Sequence, residues 1–230
     1  MRFAIFSDLH DNLDSLHQVL TDIGQQRVDA LLYLGDAGRD PALFAELQQR
    51  GIACTFGNWE LSGLRRLPEP LATWVGAWPA TIQHGSALFC HATPDMPAAA
   101  ATARTAVAHM AIGISWHTLF PRLNYNEQAR WNALAALEAA NLRVAFHGHT
   151  HVQQVWVWES DRSGQRQLRA FTEPAEFSLE HGPADTPTCY LIGVGSAGQP
   201  DDGPALRYAV YDDGTNVVTL RKLGSRGERE

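Results

Sequence analysis

The chain has 230 residues, of which 45% are hydrophobic and 19% charged, enough apolar material for one substantial core and too much for a disordered segment. Its formal net charge of -7 gives the surface no electrostatic funnel for a polyanion, which excludes duplex DNA or RNA as an expected partner. Three cysteines, Cys54, Cys90 and Cys189, lie far apart, odd in number and without a CxxC pair, and so read as reduced thiols of a cytoplasmic protein and not as a disulfide framework or zinc knuckle.

The predicted elements begin with Phe3 to Ser7, an apolar run that reaches Asp8 too soon for a signal peptide and reads as a buried strand. Leu13 to Ile23 follows as an amphipathic helix, Ala30 to Leu34 as a second strand, Pro41 to Gln49 as a helix with proline in its first turn, and Ile52 to Phe56 as a third strand. That is a βαβαβ start, the pattern of parallel strands joined by crossover helices. Thr81 to Gln83 and Ala87 to Cys90 flank His84-Gly85 as a hairpin, where antiparallel pairing begins.

Residues 95 to 141 differ in kind and read as a helical insertion over the sheet: alanine-rich from Pro97 to His109, glycine-containing to Pro121, and a helix from Asn126 to Ala140 with Trp131, Leu134, Leu137 and Ala140 on one face. The least charged long stretch, Thr105 to Pro121, carries His109 and His117, contains Gly113 and ends at proline, so no membrane span is expected. Val144 to Phe146 and Val152 to Trp158 are strands. Asp161-Arg162-Ser163-Gly164 turns the chain into Arg166 to Phe171, and residues 172 to 187, with three prolines, read as a surface loop. Strands Cys189 to Val194, Leu206 to Tyr211 and Val217 to Leu220 close the chain. We therefore expect one domain over residues 1–223, with a helical cap insertion at about 95–141, a hairpin and loop insertion at about 156–187 and a frayed tail over 224–230.

Residues that could do chemistry sit just past the ends of these strands, where open α/β sheets place their ligands. Asp8-Leu9-His10 follows the first strand, Gly35-Asp36 the second and Gly57-Asn58-Trp59-Glu60 the third. Residues i and i+2 at a strand end face the same way, so Asp8 and His10 emerge together. Taken singly, Asp and Asn beside Gly are also ordinary turn residues. His91 ends a fourth apolar run and His147-Gly148-His149-Thr150-His151 a fifth, of which His147 reads as structural and the other two imidazoles as donors. Oxygen donors mixed with imidazoles suit manganese, iron, cobalt or zinc better than calcium or magnesium, and a carboxylate bridging two ions would hold them at the spacing that serves in-line displacement at phosphorus.

Asp8-x-His10, Gly35-Asp36, Gly57-Asn58-x-Glu60, His91 and Gly148-His149-x-His151, in that order, resemble the calcineurin-like metallophosphoesterases, particularly their compact prokaryotic phosphodiesterase branch. Gly193-Val194-Gly195-Ser196-Ala197-Gly198-Gln199-Pro200 extends the resemblance to about residue 200. It implies a four-layer αββα sandwich of two mixed sheets with flanking helices. It also implies two divalent ions, manganese or iron foremost and nickel, cobalt or zinc as further candidates. Asp8, His10 and His151 would hold one ion, Asn58, His91 and His149 the other, and Asp36 would bridge them. The catalytic set is then Asp36, Asn58 and His91, and a hydroxide between the ions attacks phosphorus. Asn12 resembles a residue beside the site that touches substrate phosphate.

The sequence departs from the family at Trp59, where many members carry a histidine regarded as the proton donor to the leaving group. An indole N–H cannot act as a general acid at neutral pH, so that role is vacant or supplied from elsewhere. Trp59 is either an aromatic wall on which a base stacks or an aromatic packed under the cap. Further substrate contacts are expected from the insertion, with His117, Arg122, His109 and Arg104 as candidates. The expected activity is hydrolysis of small phosphodiesters or phosphomonoesters, cyclic nucleotides included. The alternatives are a metal-binding scaffold of the same fold, against which seven intact ligands speak, and a nuclease, which the acidic balance disfavours. Neither a membrane partner nor an oligomeric state is indicated.

Overall fold

The computed structural model describes residues 1–161, 163–171, 175–182 and 187–224. Arg162 of the expected turn, parts of the expected 172–187 loop and the expected tail beyond Gly224 lie outside the described residues. The chain opens with β1 (Arg2–Phe6), α1 (Leu13–Ile23), β2 (Ala30–Tyr33), α2 (Pro41–Gln49) and β3 (Ala53–Cys54). Asn12 caps α1 by accepting the Ser15 N–H at 3.0 Å, and Asp40 caps α2 ahead of Pro41. Then come α3 (Asn58–Gly63), α4 (Glu69–Gly76), β4 (Thr81–His84), β5 (Ala87–Cys90), α5 (Ala103–Ala111), α6 (Trp116–Leu119) and α7 (Glu127–Ala139). The remainder is β6 (Val144–His147), β7 (Gln153–Ser160), β8 (Arg166–Phe171), β9 (Glu176–Ser178), β10 (Cys189–Val194), β11 (Leu206–Asp212) and β12 (Val217–Leu223). Among the described residues no helix is long and apolar enough to cross a membrane.

The strands form two six-stranded mixed sheets, ordered β3-β2-β1-β11-β12-β9 and β4-β5-β6-β10-β7-β8. Each holds a parallel trio, β3-β2-β1 in the first and β5-β6-β10 in the second, bordered by antiparallel strands. Strand alternation sorts the core into three slabs. Phe3 and Ile5 of β1 with Leu32 and Leu34 meet Phe89, Phe146, Val155 and Ile192 between the sheets. Ala4 and Phe6 point outward instead, onto Leu16 and Val19 of α1 and Leu43, Phe44 and Leu47 of α2. On the far side Leu88, Ala145 and Leu191 meet Ala133, Leu134 and Leu137 of α7. Helices, sheet, sheet and helix are the four layers of an αββα sandwich.

Segment 95–141 divides between these layers. Ala103 and Ala106 of α5 join the core under the first sheet's helices, while α7 covers the second sheet. On α7 Ala133 takes the buried place expected of Ala140, which caps the helix and is exposed. The expected 172–187 loop contains β9, which pairs with β12 and so links the hairpin of β7 and β8 back to the first sheet. Phe177 packs edge-on to Phe171 at 5.6 Å and Leu179 is buried, which gives this polar stretch enough apolar contact to form a strand.

Candidate metal centre

The carboxyl ends of both parallel trios converge on one place. Asp8 and His10 leave β1, Asp36 leaves β2, Asn58 opens α3 after β3, His91 leaves β5, and His149 and His151 leave β6. Five of these seven hold left-handed backbone: Asp8, His10, Asp36, His149 and His151 have φ of 58°, 48°, 61°, 62° and 59°. Such conformations cost a non-glycine residue ~1 kcal/mol or more and gather where function requires them. Hydrogen bonds hold them there: Asp8 N–H to Gly35 O at 3.0 Å, His10 N–H to Asp36 O at 3.1 Å, and His149 N–H to Asp8 Oδ2 at 3.0 Å.

Two donor groups result, Asp8 with His10 and His151, and Asp36 with His91 and His149, the donor atoms of each lying within 4.8 Å of one another. In the first, His10 Nε2 and His151 Nε2 are 3.0 Å apart and Asp8 Oδ1 is 3.5 Å from His151 Nε2. In the second, His91 Nε2 is 3.1 Å from Asn58 Oδ1 and 3.5 Å from Asp36 Oδ1. Asp36 stands between the groups, its other oxygen 4.0 Å from His10 Nε2.

Whether ions fit is decided by the tautomers. His91 donates Nδ1–H to Leu34 O at 2.8 Å, so its Nε2 carries a lone pair facing two oxygen acceptors. His151 donates Nδ1–H to Gln199 O at 2.7 Å, and His149 donates Nε2–H to Phe120 O at 3.1 Å, which leaves Nδ1 as its acceptor. Backbone carbonyls orienting imidazoles in this way are the usual outer partners of metal-bound histidine. Asp8 Oδ1 is buried, with no side-chain group nearer than the two imidazoles of its own donor group, His151 Nε2 at 3.5 Å and His10 Nε2 at 3.9 Å. Lone pairs facing lone pairs are repulsive unless a cation lies among them, and oxygen mixed with imidazole suits a transition ion. The residues fit two divalent ions.

The electrostatics agree. Burial pushes His91 down to about 3 and His149 to about 4, and it lowers His10 as well, so these imidazoles stay neutral, as ligands must. Burial is the largest single influence on His151 and lowers it, but the hydrogen bond to Asp8, the Asp8 charge, the Gln199 carbonyl and the Asp201 charge together raise it. Burial, then the charges of Glu60 and Asp8, pushes Asp36 well above the carboxylate range. A divalent ion would reverse that penalty.

Two glycines make the approach possible. A Cβ on Gly57 would lie 2.3 Å from Asp36 Oδ1, and one on Gly148 would lie 2.0 Å from Ser7 Oγ and 2.5 Å from Asp8 Oδ2. Around the ligands sit groups whose roles the sequence did not reveal. Glu60, part of the expected motif, accepts N–H from Asp36, Ala37 and Gly57. Ser196 Oγ donates to Asp8 O at 2.7 Å, and Asp201 N–H to His151 O at 3.0 Å. Arg207, buried, grips Asp202 at 3.0 Å and so ties down the loop that holds His151. The spacing of Glu60 three residues after Gly57 is a helix-start signal that points to its role, whereas nothing in the sequence marks the carbonyls of Phe120 and Gln199.

The expected substrate contacts are dispersed. Trp59 lies edge-to-face against His10 at 5.0 Å and donates its backbone N–H to Asp36 Oδ1 at 2.7 Å, a contact independent of its side chain. Asn12 spends its carbonyl on the α1 cap, its amide 3.5 Å from Gly198 O. Arg122 reaches Thr150 O at 3.5 Å and Asp201 Oδ2 at 3.3 Å, beside His149 and His151. His117 is exposed and lines a pocket with Thr93, Asp95 and Asn126, while Arg104 lies against Gly76 of α4. His109 closes α5, its carbonyl accepting N–H from Ile112 and Ile114. His147 is buried, its Nδ1 on Gly148 O, apart from both donor groups.

The profile of the calcineurin-like phosphoesterase superfamily domain matches residues 1–215. A metallophosphoesterase from Sphaerobacter thermophilus is similar in structure, with a TM-score of 0.67 and 23% identity over 98% of this chain and 90% of that one. An archaeal phosphodiesterase gives a TM-score of 0.50 and 15% identity over 97% and 100%. No curated protein matches the chain.

Proposed function

Because the chain belongs to the calcineurin-like phosphoesterase superfamily, we propose that it hydrolyses small phosphoesters at a centre of two divalent ions. The observation that carries this reading is the second donor group, where the tautomer of His91 turns a lone pair toward Asn58 Oδ1 and Asp36 Oδ1 with no donor between them. Asp8, His10 and His151 hold one ion, Asn58, His91 and His149 the other, and Asp36 lies between. Ions bound there supply an activated water and offset charge at phosphorus. The chain's own part is to fix the donors, keep three imidazoles neutral and present Arg122 and the Asn12 amide to the phosphate. Phosphodiesters and phosphomonoesters, cyclic nucleotides among them, are the substrate class, and manganese or iron the favoured ion. The protein acts in the cytoplasm.

Manganese-loaded protein assayed against bis-p-nitrophenyl phosphate, p-nitrophenyl phosphate and cyclic nucleotides tests this. Hydrolysis is expected to depend on the ion and to fall roughly 10²- to 10³-fold in Asp36→Asn. No turnover with manganese, iron, nickel, cobalt or zinc would leave a metal-binding scaffold.

A further inference from the structure

Among the described residues, the side chains at the edge of the two donor groups include an indole, a phenyl ring and a guanidinium, while the Glu60 carboxylate beneath Asp36 is taken up by three backbone N–H groups. Trp59 meets His10 at 5.0 Å, Phe120 meets His91 at 5.8 Å and His149 at 6.0 Å, and Arg122 reaches the carbonyl between His149 and His151. None of these gives up a proton at neutral pH. Outside the donor groups, the Asp201 carboxylate, 4.0 Å from His151, is paired with Arg122. Protonating a leaving oxygen contributes roughly 10²- to 10⁴-fold, a contribution that an alkoxide needs and a departing phosphate does not.

Arg39 supplies what a departing phosphate needs instead. It lies three residues past Asp36, with its guanidinium 5.0 Å from the centroid of the Trp59 ring, one indole away from His10. Its loop is fixed because Asp11 Oδ1 accepts the backbone N–H of both Arg39 and Asp40. Asp40 in turn is committed to the α2 cap. Among the described residues the Arg39 guanidinium has no hydrogen-bonding or ionic partner, and the side chain is exposed. A guanidinium placed over an aromatic ring by a cation–π contact, with no hydrogen-bonding partner, keeps its N–H groups free for bidentate contact with phosphate.

We propose that the centre acts preferentially on phosphoric anhydrides, with Arg39, poised over the Trp59 ring, receiving the leaving phosphate. This rests on the phosphoesterase reading and narrows its substrate. Water oxygen forms a bond to the phosphorus at the donor groups and the bridging P–O bond breaks. The electron pair stays on the bridging oxygen, which departs on a phosphate under Arg39, and the water's protons pass to the solvent and the products. One anhydride and one water give two phosphates.

The test compares manganese-loaded wild type, Arg39→Ala and Arg39→Lys on ADP, p-nitrophenyl phosphate and glycerol phosphate. Wild type should favour ADP over glycerol phosphate in kcat/KM by about 10²-fold or more. Arg39→Ala should lower the ratio of ADP to p-nitrophenyl phosphate roughly 10- to 100-fold, with partial recovery in Arg39→Lys. A binding readout is independent of turnover: calorimetry should show methylenediphosphonate bound more tightly than methylphosphonate by wild type and the preference gone in Arg39→Ala. Equal kcat/KM for ADP and glycerol phosphate, or an Arg39→Ala loss shared equally by all probes, overturns the anhydride assignment and leaves the phosphoesterase reading intact. Wild type inert to every probe overturns both.

Discussion

Buried where two ligand loops meet, the Glu60 carboxylate accepts the N–H groups of Asp36 at 2.9 Å, Ala37 at 2.7 Å and Gly57 at 2.6 Å. Burial raises its carboxyl, and those three donors work against that rise by favouring the ionised form. The residue faces no substrate. Its work is to hold Asp36 and the start of α3, which carries Asn58, in one arrangement. Glu60→Gln keeps the size but offers one acceptor oxygen and turns an NH₂ against a backbone donor. The variant should lose about 2 kcal/mol of stability. Its manganese affinity, measured by chelator competition, should fall roughly 10- to 100-fold. Unchanged affinity would mean that the loops hold their shape without Glu60.

At the scale of elements, α7 carries the fourth layer while the donor groups sit at the strand ends. Leu134 is fully buried against the second sheet's outer face. Leu134→Ala should therefore cost about 3 kcal/mol in urea unfolding while leaving manganese affinity unchanged. An affinity that falls with stability would show that this layer supports the donors directly. The elements that period and punctuation identify from sequence are those with a repeated apolar pattern: β1, α1, β2, α2, β5, α7 and β10 all fall at or near their expected places. Short elements escaped. α3 and α4 have six and eight residues, too few for a helical period to show, and β9 owes its existence to β12 and Phe171, partners far away in sequence. That Asp8, His10, Asp36, His149 and His151 gather at one sheet edge was legible because strand-end residues need only chain order to be found, whereas Asn58 and His91 were expected mainly from the family resemblance. The imidazole tautomers, and the contact of Arg39 with the Trp59 ring, were not legible, because they depend on which carbonyl or ring arrives from another loop.

For the whole molecule, the donor groups are a concentrated liability until they are filled. Asp36 and Glu60 are both pushed up by burial, Asp8 Oδ1 faces only the imidazoles of its own donor group, and five of the candidate donors hold left-handed backbone. A chain of formal charge -7 adds a general repulsion that divalent cations reduce. Ion binding is thus coupled to folding, since the unfolded chain has no such site. At free manganese 100 times its dissociation constant, one site stabilises by ~2.7 kcal/mol. For a chain of this length, ~2–4 °C of melting temperature goes with each kcal/mol, so one filled site should raise the melting temperature of chelator-treated protein by about 5–10 °C. Calcium, which prefers oxygen alone, should give much less. Asp36→Asn, altered between both groups, should lose most of the manganese effect while Leu134→Ala, altered in the outer layer, keeps it on a lower baseline. A melting temperature indifferent to manganese and chelator would mean that the converging lone pairs are met by something other than a metal ion.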